Sequence, residues 1–493
     1  MDLSAQDAIF ACSPAQRTRY RALGQLPLTG ASAQVAYSVF GSVLRTQLRR
    51  KKVSNARQVD VAIIGSGLGG MLCGALLGKM GYKVLILEKL GFPGGRYTTA
   101  EHRGFKINTG SWAVGLHGQS GPLMQLLNSL GAKVETKVPG PPHAKLRLRG
   151  EDVPLPQKGQ LRMIIEAASG DSREQERVMQ AVRRSLRWQE PSDEINCEEW
   201  LRQYTDNRLI HGQFNFFSRS MTGTHYYDIG AGGYFRLLRN FGKHGSLTAM
   251  PRNGSKTTTD ALLKLLKAWK VDVLCKTRVS KILIEDGVVS GVLADSEAGG
   301  AMEISSTVII SDAGPKETVK LAGEANFDYG YLREVNSLIP STAAVLVFSY
   351  DQPLMDYDGH IQFIETERLG TAWEPYHLWP EYAPAGKCCL YIYGTMKTDN
   401  TERELELLIE ECKSNFLGLD KAELVASLVF KRDWPVLRAR PSHRVGVKTP
   451  VHGLYIAGDA ANPDGWTCGE GVAISSRAIA EDVESRLSPG SLP

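Results

Sequence analysis

The sequence predicts an α/β chain in which one doubly wound parallel sheet is assembled from separated segments, with a mixed α+β domain inserted between them. Two observations predict it. Short apolar runs that end in a glycine or an acid recur at Val59–Ile64, Lys83–Leu87, Val308–Ser311 and Leu454–Ala457, as expected for strands buried on both faces of a parallel sheet. These runs lie near both ends and in the middle of a 493-residue chain, with long stretches of other periodicity between them.

Residues 1–58 form a leader. From Ile9 to Gln58 there is no Asp or Glu, while Arg17, Arg19, Arg21, Arg45, Arg49, Arg50, Lys51, Lys52 and Arg57 supply positive charge. Such a segment reads as a disordered basic arm, an interfacial membrane anchor or an organelle-targeting peptide. Leu28–Leu44 is too polar for a spanning helix, which needs ~20 mainly apolar residues. Residues 59–120 carry the first strand–glycine–helix–strand unit, with a helix over Gly69–Met80. Residues 121–245 read as mostly helical, most clearly over Arg162–Glu190. Residues 246–330 bring a helix at Thr257–Trp269 and strands at Val271–Leu274, Val279–Ile284 and Val288–Leu293, the last two joined by the turn signal Glu285-Asp286-Gly287. Residues 331–445 show strands of a second sheet at Ala343–Tyr350 and Cys389–Tyr393, then an amphipathic helix at Glu402–Asn415. Residues 446–493 return a buried strand and a closing helix, Gly471–Arg486.

A net charge of +5 is too mild to argue for nucleic acid. The eight cysteines form no CxxC pair and no cluster with histidine, so no metal site is expected. Cys73, in an apolar helix, and Cys275, in a strand, read as small buried residues, and the chain as one of an intracellular, reducing compartment. Nothing in the sequence speaks to an oligomeric state.

Directly after the first strand comes Gly65-Ser66-Gly67-Leu68-Gly69-Gly70, opening a helix. Glycines here permit a tight turn, close approach of backbone to a pyrophosphate and close helix–strand packing, and the helix N-terminus offers free N–H groups to phosphate. Glu88 closes the next strand 23 residues after Gly65, the position of an acid that grips ribose hydroxyls, with Lys89 beside it. This context predicts dinucleotide binding. The continuation Gly94-Gly95-Arg96, then Asn108-Thr109-Gly110-Ser111, resembles the second wrap of FAD enzymes in the glutathione reductase and amine oxidase superfamily. A third motif, Gly458-Asp459 followed by Gly469-Glu470-Gly471-Val472, resembles the end of the same cofactor site, where a helix N-terminus faces the flavin N1/O2 edge. The resemblance implies a Rossmann-type, glutathione reductase-like domain that binds FAD non-covalently, with the inserted α+β part taking the substrate.

Within that superfamily the chain resembles the phytoene desaturase, carotenoid isomerase and retinol saturase group. The resemblance spans Val59–Leu130, Pro251–Gly323 and Gly453–Leu487, and rests also on Pro251-Arg252-Asn253-Gly254, Thr277-Arg278-Val279 and Ser311-Asp312-Ala313-Gly314-Pro315. It implies that Val279 contacts the adenine side through its backbone. It also implies desaturation, saturation or isomerisation of a hydrophobic isoprenoid or polyene, with peripheral membrane contact through the basic leader. An amine oxidase and a non-catalytic prenyl-binding escort protein share the architecture and are the alternatives. Candidate substrate-side residues are Trp466 and Cys468, just before the closing helix; Glu470 as a base; Trp112 after the second wrap; and His225, in a polar-aromatic cluster, as a proton donor.

Overall fold

The computed structural model describes residues 56–110, 117–245 and 248–490. Five strands form one all-parallel sheet in the order Asp272–Leu274, Val84–Leu87, Val61–Ile64, Val308–Ser311, Leu454–Ile456. Every residue of Val61–Ile64, Val84–Leu87 and Val308–Ser311 is buried, which is why these runs are apolar throughout instead of alternating. The chain first adds strands on one side of Val61–Ile64 and later on the other. That reversal opens a crevice beyond the C-terminal ends of Val61–Ile64 and Val308–Ser311, where sheets of this kind bind ligands.

Helices Leu68–Lys79, Lys256–Ala268 and Cys468–Arg486 cover one face and share a core with the sheet. Leu68–Lys79 has no polar side, as a helix enclosed all round requires. The other face is covered by the antiparallel strands Thr277–Glu285, Val288–Ser296 and Gly300–Ser305, with Ala56–Gln58 joined parallel to the last. Gly300–Ser305 has no counterpart in the sequence reading. Only Met302 and Ile304 are buried in it, too few apolar residues to register as a run.

A second sheet has seven strands in the order Glu423–Phe430, Ala343–Tyr350, Cys388–Thr395, Leu369–Trp373, His360–Phe363, Ala144–Leu148, Glu151–Pro154. Helix Thr401–Asn415 packs on one face, and the other meets the strand Phe105–Asn108 of the first cofactor segment. The hairpin Ala144–Pro154 comes from the stretch read as mostly helical, so both inserted segments build one sheet. The single helix expected over Arg162–Glu190 is two, Gln160–Ala168 and Ser172–Arg187. Ser169 is extended at the break, and the Asp171 side chain accepts from Arg173 N–H to start the second helix. Cys275, expected in a strand interior, is half-buried between Asp272–Leu274 and Thr277–Glu285. No helix among the described residues is long and apolar enough to cross a membrane. The leader, Leu28–Leu44 included, lies outside the described residues up to position 55.

Candidate active site

The crevice is built from strand ends. Gly65 turns the chain at φ +96°, a conformation that suits glycine, and a Cβ on Gly70 would lie 2.1 Å from the Gly65 carbonyl oxygen. Helix Leu68–Lys79 starts at Gly67 without a side-chain cap, so its first N–H groups face the crevice. Glu88 is buried. One carboxylate oxygen accepts from Ser66 N–H and Ser66 Oγ, both at 2.8 Å, and the other from Leu90 N–H at 2.8 Å. These bonds tie the second strand end to the glycine loop and leave lone pairs for a ligand.

Two further strand ends carry acids, Asp312 and Asp459. Asp312 Oδ2 accepts from Gly70 N–H at 3.1 Å, and a Cβ placed on Gly67 would fall 2.3 Å from that same oxygen. Burial pushes the Asp312 carboxyl up to about 7, against the Gly70 hydrogen bond and the guanidinia of Arg438 and Arg96, while Asp459 adds to the rise. Burial acts on Asp459 in the same sense, but Arg96 and Arg438 outweigh it and hold this carboxyl below its ordinary value. Arg96 donates to Asp459 Oδ1 at 2.5 Å and to the carbonyls of Pro435 and Val436, and Arg438 N–H donates to Asp459 Oδ2. Arg96 and Asp459 therefore form a half-buried, hydrogen-bonded ion pair, which fixes the Gly94–Arg96 loop against the last strand.

The closing helix begins at Cys468, earlier than the glycine at 471 suggested, and its N-cap Thr467 provides no side-chain cap. One cavity is lined by Gly67, Leu68 and Gly69 from the first helix, by Cys468, Gly469 and Val472 from the last, and by Glu88, Lys89 and Val279 at its outer end. Two helix N-termini whose N-cap residues supply no side-chain cap thus converge on one space, the first with Gly70 N–H already given to Asp312. Cys468 Sγ lies 3.6 Å from the Met221 carbonyl, and burial pushes its thiol up to about 11. From Cys468 the cavity continues past Phe217, Met221, Phe241 and Phe430.

A model of the flavin containing amine oxidoreductase family matches residues 68–484. The chain belongs to this family. It is similar to a crystal structure of an oxidoreductase from Methanosarcina mazei, with a TM-score of 0.78 and 26% identity, covering 86% of this chain and 100% of that one. An uncharacterised protein of Methanocaldococcus jannaschii is 24% identical over 426 residues, 86% of this chain and 99% of the relative. The chloroplastic prolycopene isomerase of carrot, Daucus carota, is 36% identical over 92 residues, only 18% of this chain and 15% of the relative.

The protein is an FAD-dependent oxidoreductase, and its crevice fits the cofactor. The glycine loop presents backbone where side chains would collide, a Cβ on Gly69 falling 2.7 Å from Gly458 N. Two helix N-termini offer N–H groups to phosphate and to the flavin edge, and Glu88 is an acid within reach of a ribose. Gly94, Gly95, Arg96, Gly110 and Gly458 also line the cavity of this flavoenzyme. Gly471 does not. A Cβ there would meet Asn462 at 2.4 Å, so its task is helix packing.

Of the substrate-side candidates, only Cys468 among the described residues reaches the cavity. Trp466 packs instead on His244 and His117, with ring centroids 5.1 and 6.2 Å away. Glu470 is turned to the opposite side of the closing helix, where its buried carboxylate accepts from Leu123 N–H at 2.8 Å and caps helix Pro122–Leu130. It does not line the cavity as the base the sequence suggested. His225 stacks on Tyr227 at 4.9 Å and pairs with Asn215, and burial, aided by Arg219 and Lys397, lowers its imidazole to about 3, which leaves it neutral. Ser111 and Trp112 lie outside the described residues. The sequence reading missed the site roles of Asp312 and Arg438. An acid at or one glycine beyond the end of a buried apolar run marks Glu88 and Asp459, and the same signal was present at Asp312.

Proposed function

We propose that this flavoenzyme acts on a hydrophobic isoprenoid or polyene-type lipid, by desaturation, saturation or cis–trans isomerisation. The supporting observation is the aromatic and aliphatic lining that leads away from Cys468, with Phe217, Met221, Phe241 and Phe430. A polyene offers apolar surface over nearly its whole length, and burying it is favoured by ~25 cal/mol per Å². The partial likeness to carrot prolycopene isomerase points the same way. When bound, FAD supplies exchange of a hydride at its N5 atom.

In this reading Gly65, Gly67, Leu68, Gly69 and Gly70 hold the pyrophosphate by backbone, Glu88 and Lys89 grip the ribose, and Val279 contacts the adenine side. Arg96 and Asp459 orient the ribityl chain. The N-terminal amides of the closing helix, with Val472, face the electron-rich edge of the flavin. Cys468, its thiol held protonated, fills the reacting face and excludes water.

Anaerobic mixing of the FAD-loaded enzyme with a polyene panel tests this reading. Mass spectrometry is expected to find a product differing by two hydrogens, or an isomer of unchanged mass. Hydrogen peroxide released from simple amines in air, with every polyene returned intact, would transfer the activity to amine oxidation.

A further inference from the structure

Beyond Cys468 the cavity runs between helix Arg208–Thr222 and the seven-stranded sheet. Gln213, Phe217, Ser220 and Met221 line it from one face of the helix. Gln362, Thr371 and Tyr393 line it from the sheet. Gln362 is the register partner of Thr371, and Thr371 of Tyr393, so the three form a row across adjacent strands on one face. His360, two residues before Gln362, shares that face, and its Nε2 is 3.3 Å from Gln362 Nε2.

A wall shaped only for hydrocarbon would carry apolar groups here, because an amide without a partner costs free energy when buried. Gln213 is 8% exposed, yet its Oε1 has no hydrogen-bond partner, and neither does the buried Ser220 Oγ. These polar groups are also uncharged. Burial, with His143 beside it, lowers the His360 imidazole to about 4, and none of the described cavity residues from this helix and these three strands is Asp, Glu, Lys or Arg. A cationic amine would find no counter-ion on these walls, and a carboxylate none either.

We infer that this part of the cavity binds a neutral hydroxyl or carbonyl carried by an otherwise apolar substrate, with Gln213 and Gln362 as specificity-determining residues. The inference rests on the isoprenoid or polyene reading and narrows it to chains with a neutral polar head. The geometry also sets a span. Gln213 precedes Met221, which touches Cys468, by two helical turns, ~12 Å. Gln362 is two strand spacings from Tyr393, ~10 Å. The Gln213 end of this wall therefore lies ~12 Å along the helix from the residue that touches Cys468.

Binding to the FAD-loaded enzyme without turnover, read from perturbation of the flavin absorption, tests this with three ligands of equal polyene chain: a hydrocarbon, its terminal alcohol and its terminal amine. The alcohol is expected to bind about tenfold tighter than the hydrocarbon, the size of one or two neutral hydrogen bonds, and tighter than the amine. Gln213→Leu and Gln362→Leu should each narrow the gap between alcohol and hydrocarbon while leaving hydrocarbon affinity in place. Thr371→Val, which removes only a hydroxyl, serves as a milder variant, and retained FAD content certifies folding. Equal affinity for alcohol and hydrocarbon would overturn the polar end and leave the polyene reading standing. Failure of all three chains to bind, with flavin reduction by small amines, would remove that reading and this inference together.

Discussion

Asp312 sits where a phosphate-binding loop would ordinarily exclude negative charge. Its carboxyl accepts from Gly70 N–H and feels the positive charge of Arg438 and Arg96 and the negative charge of Asp459. With its value raised to about 7, it is neutral below that pH and an anion above it. Two consequences follow from the sign. A raised carboxyl contributes stability that is fully present below its ordinary value and is lost as the pH climbs through about 7, so the FAD-free protein should melt at lower temperature at pH 8.5 than at pH 6. An ionised Asp312 also repels the pyrophosphate, so FAD affinity measured by reconstitution should weaken over the same interval. Asp312→Asn keeps the acceptor for Gly70 N–H and should flatten both profiles. A wild-type profile already flat from pH 6 to 8.5 would contradict this assignment.

At the scale of elements, two helices meet through one side chain. Glu470 lies in the first turn of the closing helix and caps Pro122–Leu130, which has no side-chain cap of its own. Glu470→Gln should lower stability by ~1–2 kcal/mol in denaturant melts. It should leave the pH profile of turnover unchanged, because the carboxylate is outside the cavity; a lost ionisation in that profile would restore it as a base. Gly70 holds the first helix against its strand. A methyl at 2.1 Å from the Gly65 carbonyl must displace the helix, so Gly70→Ala should cost ~1–3 kcal/mol and most of the bound FAD, read from the flavin-to-protein absorbance ratio.

At the scale of the whole molecule, the parallel sheet supplies the cofactor crevice, while the second sheet and the helix Arg208–Thr222 close over its inner end. If a membrane-derived lipid is the substrate, the basic leader is the natural contact with an anionic surface. Flotation with anionic liposomes should then separate the full chain, which floats, from a chain that begins at Ala56, which sinks. Equal behaviour of both would take the leader out of the account.

The sequence by itself determined the nucleotide-binding half. A strand buried on both faces must be apolar throughout, a loop in close contact must be glycine, and an acid ending such a strand is visible without knowing its neighbours, so Gly65–Gly70, Glu88 and Gly458-Asp459 were legible. Tertiary structure decided which side chains meet. Asp312 finds Gly70 across 242 positions and Glu470 finds Leu123 across 347, and periodicity records that a residue is buried without recording against what. The same holds for Trp466, which local position placed near the flavin and packing turned into an aromatic cluster, and for His225, whose polar-aromatic cluster was legible but whose place outside the cavity was not. The polar row from His360 to Tyr393 was invisible for that reason too, since its members sit on three separate strands and become one surface only when the strands pair.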